Sequence, residues 1–278
     1  MKLGAHLSIA GGVDKAVDRA EELEINAFQI FAKNPRGWTG KELTTEVAEL
    51  FKEKSKSIEL ASSVVHANYL SNLATPKDEL YKKSKESLTE DIRRADCLGA
   101  DYVVLHPGNH TGSGIEAGIK RVNQALQEII NEFNPEAKLL LENVAGAGTE
   151  VGFNFDDLLA MTEGIPLKRV GICLDTCHAF TAGYDLRSEA GFDGLLTEID
   201  DTFGLENLPV IHVNDSKEEV GSNKDRHYHI GQGKIGSEGF ARLVNHSQMK
   251  EKVLIIETPI DDNGDDELNL KTLRNLGK

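Results

Sequence analysis

The stretch DRHYHIGQGKIG, residues 225–236, can be read in two ways that lead to different folds. Its second half, GQGKIG, fits G-x-G-x-x-G, the dinucleotide-binding fingerprint of an open, doubly wound sheet. Its first half, DRHYH, carries Asp225, His227 and His229, three side chains able to hold a metal. The fingerprint needs a buried strand before the glycines and enough chain to build two βαβ halves. Here the glycines begin at position 231 of 278, after a polar segment that follows IHVND (211–215). Glu257 lies near the place of a ribose-binding acid, ~20 residues further on, but the strand and the two halves are missing. The glycines are better read as turning a loop back to the body and starting a helix at Ser237. That removes the main case for an open sheet.

Working outward, eight short apolar runs recur along the chain: LGAHLSI, AFQIFA, SSVVHA, DYVVLHPG, KLLLENV, VGICLDTCH, PVIHVND and VLIIETP. Most are rich in Val, Ile or Leu, as expected of strands buried on both faces. Amphipathic stripes lie between them. Val13, Ala16, Val17, Ala20 and Leu23 form one, and Leu80, Leu88, Ile92, Ala95 and Leu98 a second. Ile115, Ile119, Val122, Leu126, Ile129 and Ile130 form a third, which ends near Pro135. Eight strands alternating with helices predict an α/β fold, a (β/α)8 TIM barrel. No linker or composition break divides the chain, so residues 1–278 are expected to form a single domain, with its site at the C-terminal ends of the strands.

Apolar residues make up 39% of the sequence, ample for a core. No run approaches ~18 apolar residues, and MKLGAHLSIAGG is too short and polar for a signal peptide, so a cytoplasmic protein with no membrane contact is expected. Three cysteines, Cys97, Cys173 and Cys177, without a C-x-x-C pair argue against a disulfide framework or a zinc ribbon. The formal net charge of −15 argues against a broad electrostatic clamp on nucleic acid. It argues less strongly if several of the acids hold cations, because the local field matters more than the total.

Six of the eight runs end alike, with aliphatic residues followed by a metal-capable side chain: His66, His106, Glu142, Asp175, His212 and Glu257. In a parallel barrel these ends open on one mouth. Any one of the six could be an ordinary pocket residue, but three acids crowded together repel unless cations join them. Three imidazoles and three carboxylates suit zinc, manganese or iron. DTCH adds His178, three residues after Asp175. Cys177 beside it reads as a small loop residue. DRH adds Asp225 and His227, whose i, i+2 spacing puts both on one face of an extended segment. His178, Asp225 and His227 would make a His₂Asp set with an open position, as catalytic zinc requires. With one acid bridging two ions, the nine side chains could serve three metals.

With those residues in place, GAHLSIAGG, HPG, LEN, GICLDTCHAFTAGYDL, IHVNDSK and DRHYHIGQGKIG together resemble the endonuclease IV family of apurinic/apyrimidinic (AP) endonucleases, over residues 4 to 257. The resemblance implies a barrel with three Zn²⁺ ions, Mn²⁺ being possible at some sites. His66, His106 and Glu142 would hold the first ion. Glu142, Asp175, His212 and Glu257 would hold the second, and His178, Asp225 and His227 the third. It also implies hydrolysis of the phosphodiester 5′ to an abasic site in double-stranded DNA, leaving a 3′-hydroxyl, with 3′-phosphodiesterase end trimming. Glu142 and Glu257 would orient the nucleophile, with no covalent intermediate. AKNPRGW carries Lys33, Arg36 and Trp38, and ANYLSNL carries Tyr69 and Leu70. By the resemblance Arg36, Tyr69 and Leu70 enter the DNA where the abasic nucleotide leaves the stack. A monomer is expected.

Four positions depart from the family pattern: Asn68 stands where proline is frequent, Val144 and Ala147 where threonine and glutamine are, and Gln232 where glutamate is. His6, Asn143 and Asn214 adjoin the site in sequence and are candidates to support the ligands. His110, His229 and His246 read as surface or loop residues. The strongest rival is a metal-dependent sugar isomerase or epimerase of the xylose-isomerase-like type, which shares the barrel-mouth carboxylates and histidines. A nicotinamide oxidoreductase, reading GQGKIG literally, and a non-catalytic zinc module are weaker rivals.

Overall fold

The computed structural model describes residues 1–277. Eight parallel strands close into a barrel: β1 (Lys2–Leu7), β2 (Ala27–Phe31), β3 (Ser62–His66), β4 (Tyr102–Leu105), β5 (Lys138–Glu142), β6 (Val170–Asp175), β7 (Val210–His212) and β10 (Val253–Ile256). Each of the eight apolar runs marks one of them, β1 starting one residue before its run, at Lys2. Closure comes from β1, which pairs with β2 on one side and β10 on the other. A small antiparallel hairpin, β8 (Asp215–Ser216) with β9 (His227–Tyr228), stands outside the barrel and frames the DRH segment.

Two apolar cores explain the strand composition. Outside the sheet, the stripes on α1 (Asp14–Glu22), α3 (Asp78–Leu98) and α4 (Ile115–Phe133) pack Val17, Leu88, Ile92, Leu126 and Ile129 against it. Inside the barrel, Ala27, Val64, Val104, Leu140, Cys173, Val210, Val253 and Ile255 form a separate plug. The remaining helices, not marked by those stripes, are α2 (Thr45–Ser57), α5 (Phe155–Met161), α6 (Thr176–Ala182), α7 (Glu189–Phe203), α8 (Gly236–Asn245) and α9 (Asp266–Leu276). The helix after the glycines thus starts at Gly236, one residue before Ser237. Among the described residues no helix is long and apolar enough to cross a membrane.

The inner plug sets the position of the site. Side chains alternate across a strand, so the residue two beyond an inward one also points inward. Val64 is followed by His66, Val104 by His106, Leu140 by Glu142, Cys173 by Asp175, Val210 by His212 and Ile255 by Glu257. Each lies at or just past the C-terminal end of its strand. The polar layer above the plug is therefore a direct result of strand parity.

Candidate metal centre

Glu142 is the hub of this layer and is fully buried. Its Oε2 lies 3.2 Å from His66 Nε2 and 3.1 Å from His106 Nε2. Its Oε1 lies 3.3 Å from His178 Nδ1 and 3.2 Å from His212 Nδ1. Glu257 Oε2 approaches the same His212 Nδ1 at 3.2 Å. Burial pushes the Glu142 carboxyl up, but the His106 and His212 imidazoles outweigh it and hold it well below the usual range. For His178 the balance is reversed: burial lowers it, and the Asp175, Asp225 and Glu142 carboxylates raise it well above the usual imidazole value.

Asp175 links this group to a second. Its Oδ1 accepts the His178 N–H at 2.8 Å and so caps α6, and its Oδ2 lies 3.5 Å from His227 Nε2. Asp225 stands on the solvent side, 3.4 Å from His178 Nε2 and 3.3 Å from His227 Nε2. Burial opposes the charge of Asp225, yet the two imidazoles bring its carboxyl down to about 2.

The chemistry of the donor set fits divalent cations. His66 Nδ1–H donates to the Ala67 carbonyl (2.6 Å), His178 Nδ1–H to that of Asn143 (2.9 Å), and His227 Nδ1–H to that of Glu257 (3.1 Å). His212 Nε2–H donates to Gln29 Oε1 at 2.9 Å. A carbonyl oxygen only accepts, so each bond puts the ring proton on the outer nitrogen and turns the other nitrogen's lone pair inward. Those lone pairs meet carboxylate oxygens, which also only accept. Glu142 Oε1, His212 Nδ1 and His227 Nε2 are buried without a hydrogen-bond partner. Either protons or metal ions must lie between such atoms. Three ligand sets have their donor atoms within 4.8 Å of one another: His66, His106 and Glu142; Glu142, Asp175, His212 and Glu257; and His178, Asp225 and His227. Glu142 belongs to two of them. A fourth set joins Cys177 to Asp175 and His227. Burial pushes the Cys177 thiol up to about 12, which keeps it protonated and a poor ligand.

The hydrogen bonds around the ligands show one residue that sequence reading passed over. Gln29, fully buried on β2, donates to Glu257 Oε1 at 2.6 Å while accepting from His212. The signal was present, an amide within the apolar run AFQIFA at an inward position, two residues after Ala27. His6 Nδ1 lies 2.9 Å from the same Glu257 oxygen. Asn214 Nδ2 donates to Asp175 Oδ2 at 2.6 Å, and Asn143 Oδ1 accepts the Asp175 N–H at 2.7 Å.

GQGKIG has a different job from the one its pattern suggests. The fully buried Asp215 carboxylate accepts backbone N–H groups from Gly231 (3.0 Å), Gly233 (2.9 Å), Ile235 (3.0 Å), Gly236 (3.3 Å) and Ser216 (2.7 Å). This is an anion nest filled by the chain's own side chain. Gly233 is required by close approach: a Cβ there would lie 2.4 Å from Ser216 O and 2.5 Å from Asp215 Oδ1. Asp215 opens the β8–β9 hairpin, so the nest fixes the base of the segment that presents Asp225 and His227.

The loop residues divide. Arg36 is exposed and Leu70 half-buried at the mouth. Tyr69 is 61% exposed, its ring centroid 5.6 Å from His66 and 5.0 Å from Phe31. Trp38 is half-buried. Lys33, in the same segment as Arg36, is buried and paired with Asp91. His229 is not a surface residue either. It is fully buried, with Nε2 donating to Asp261 at 2.9 Å and Nδ1 accepting from Asn269 at 3.0 Å.

Against this geometry, comparisons with known proteins agree with one another. The family described as xylose isomerase-like TIM barrel matches residues 17–276. A "Probable endonuclease 4" of Halothermothrix orenii is 47% identical, with 98% of this chain and 99% of that one covered. The crystal structure of endonuclease IV from Thermus thermophilus superposes with a TM-score of 0.88 at 39% identity, over 99% of this chain and 98% of that one. A D-tagatose 3-epimerase-like protein, 21% identical with a TM-score of 0.76 over 99% and 96% of the two chains, shares the fold.

Proposed function

The chain belongs to the endonuclease IV family of xylose isomerase-like TIM barrels, and we propose that it is a zinc-dependent AP endonuclease. On this reading it hydrolyses the phosphodiester 5′ to an abasic site in double-stranded DNA, leaves a 3′-hydroxyl, and trims blocked 3′ ends. It acts as a cytoplasmic monomer. The observation that carries the reading is the Glu142-centred cluster: three ligand sets in contact, one sharing a carboxylate with the next.

His66, His106 and Glu142 would hold one Zn²⁺, Glu142, Asp175, His212 and Glu257 a second, and His178, Asp225 and His227 a third, with Mn²⁺ an alternative occupant. Bound zinc would supply Lewis acidity towards phosphate oxygens and acidify water near neutral pH. Glu142 and Glu257, both turned to His212 Nδ1, orient the attacking water. Gln29 and His6 fix the rotamer of Glu257 from behind. The half-exposed Asp225 puts the third set on the side from which a phosphate arrives. Arg36, Tyr69 and Leu70 meet the DNA around the lesion, where unstacking costs least.

The net charge is consistent with this assignment. Glu142, Asp175, Asp225 and Glu257 are four of the 46 acidic residues, and cations would neutralise them. Exposed Lys217 and Arg226 stand on the DRH hairpin, whereas Lys224 and Lys234 are paired with Glu218 and Glu219.

The deciding experiment is incision of a duplex carrying one tetrahydrofuran abasic analogue, resolved on a denaturing gel. Cleavage on the 5′ side is expected. No incision with zinc supplied would refute the reading, and a single metal per chain by elemental analysis would favour a sugar isomerase or epimerase. Protons and cations compete for the inward nitrogens, and His178 has a raised affinity for protons, so metal affinity falls on acidification. Dialysis should leave the metals bound at about pH 8 and strip them at about pH 5. Equal retention at both would count against imidazole ligands.

A further inference from the structure

Two segments border the mouth, residues 34–38 with Arg36 and residues 69–72 with Tyr69 and Leu70, and one buried side chain joins them. Asn68 is 5% exposed and uses its whole hydrogen-bonding capacity. Its Oδ1 accepts the backbone N–H of Leu70 (3.0 Å) and Ser71 (3.1 Å) and the Ser71 hydroxyl (3.1 Å), which shapes the turn that displays Tyr69. Its Nδ2 donates to the carbonyl of Gly37 (3.3 Å), next to Arg36, and to Ser87 Oγ on α3 (2.6 Å).

The surroundings extend the same tie. Asn68 N–H donates to Asp91 Oδ2 at 3.4 Å, and the other Asp91 oxygen pairs with Lys33, at the head of the Arg36 loop. Lys33 also donates to Ser87 O at 3.1 Å. Arg94 on α3 donates to Ala32 O (3.2 Å) and Lys41 O (2.6 Å) and so clamps both ends of that loop. α3 is thus a platform on which both segments are fixed, with Asn68 at the junction.

We propose that Asn68 is a positioning residue for lesion recognition, fastening the Arg36 loop to the Tyr69–Leu70 turn so that both meet DNA as one preformed body. The proposal rests on the AP-endonuclease reading and on Arg36, Tyr69 and Leu70 as its DNA contacts. Two separately mobile segments would each be ordered on binding, at the expense of affinity; a shared buried hub removes that loss in advance.

Asn68→Asp separates this role from simple stability. It keeps an oxygen for the Leu70 and Ser71 N–H groups but sets a carboxylate oxygen against the Gly37 carbonyl, cutting the tie while leaving the turn. KM for the tetrahydrofuran duplex is expected to rise about tenfold, with kcat within about twofold of the parent. The backbone N–H groups of Arg36, Gly37 and Trp38 in the free protein should exchange hydrogen faster while the barrel strands keep their protection. Ser87→Ala, which removes only the anchor on α3, should move both readouts the same way by a smaller factor and serves if the first variant folds poorly. An unchanged KM with unchanged loop exchange overturns the proposal. So does a fall in kcat together with faster exchange in the strands, the mark of a merely structural residue. Failure of the parent protein to incise would instead overturn the functional reading, and loop exchange would still show whether the tie exists.

Discussion

Glu142→Gln is expected to lower incision of an abasic duplex by about a hundredfold to a thousandfold, the scale of loss when one preorganised group that stabilises transition-state charge is removed. The substitution keeps the shape of a side chain with no exposed surface, so the fold should persist. What it removes is the charge and one of two acceptor oxygens. Oε2 faces His66 and His106, and Oε1 faces His178 and His212. An amide can offer an oxygen to only one of these pairs and turns N–H groups towards the other. The first two ligand sets share this carboxylate, so elemental analysis should show both losing metal while the His178, Asp225 and His227 set is affected least. Thermal unfolding of the purified variant separates loss of chemistry from loss of structure. Incision within about tenfold of the parent would mean that Glu142 is not the shared ligand.

Asp215→Ala should produce the largest loss of stability, about 3–5 kcal/mol. Five backbone N–H groups converge on this buried carboxylate, those of Ser216 and Ile235 in buried residues and those of Gly231, Gly233 and Gly236 in partly exposed ones. Each buried donor left unpaired costs about 1–3 kcal/mol, and partial relaxation of the loop keeps the total below the simple sum. Asp215→Asn keeps one acceptor oxygen but turns an amide NH2 towards at least two of the N–H groups, and should cost about 2–4 kcal/mol. Urea unfolding followed by circular dichroism measures both. Incision should fall as well, because the hairpin that Asp215 opens carries His227 on its second strand. A loss under about 1 kcal/mol for the alanine variant would show that the nest is not a stabilising contact.

Much of the barrel and its mouth could be read from the sequence because both follow from a period of two. Eight runs with β-branched and aliphatic residues became eight strands, and a metal-capable residue two places past an inward aliphatic one had to point into the same layer. What sequence reading missed depends on distance rather than period. Gln29 is chemically no metal ligand, and its importance appears only when Glu257 and His212 reach it from 228 and 183 residues away. Lys33 shares a segment with Arg36, yet Asp91, on α3, draws it into the interior. His229 is internal for the same reason, held by Asp261 and Asn269 from beyond β10. The glycine fingerprint was informative about geometry, since it does bind an anion through backbone N–H groups, but the anion is Asp215.

Barrel closure also determines when the site can exist. β1 pairs with β10, and His6 near one end of the chain touches Glu257 near the other, 251 residues away. A nascent chain still lacking β10 has an open seam where Ile255 should complete the plug, and one carboxylate fewer to hold metal. Only the second ligand set waits for this strand, because the other two lie wholly before it. A fragment truncated before residue 253 therefore keeps two ligand sets but lacks both the strand that closes the barrel and the carboxylate that completes the remaining one.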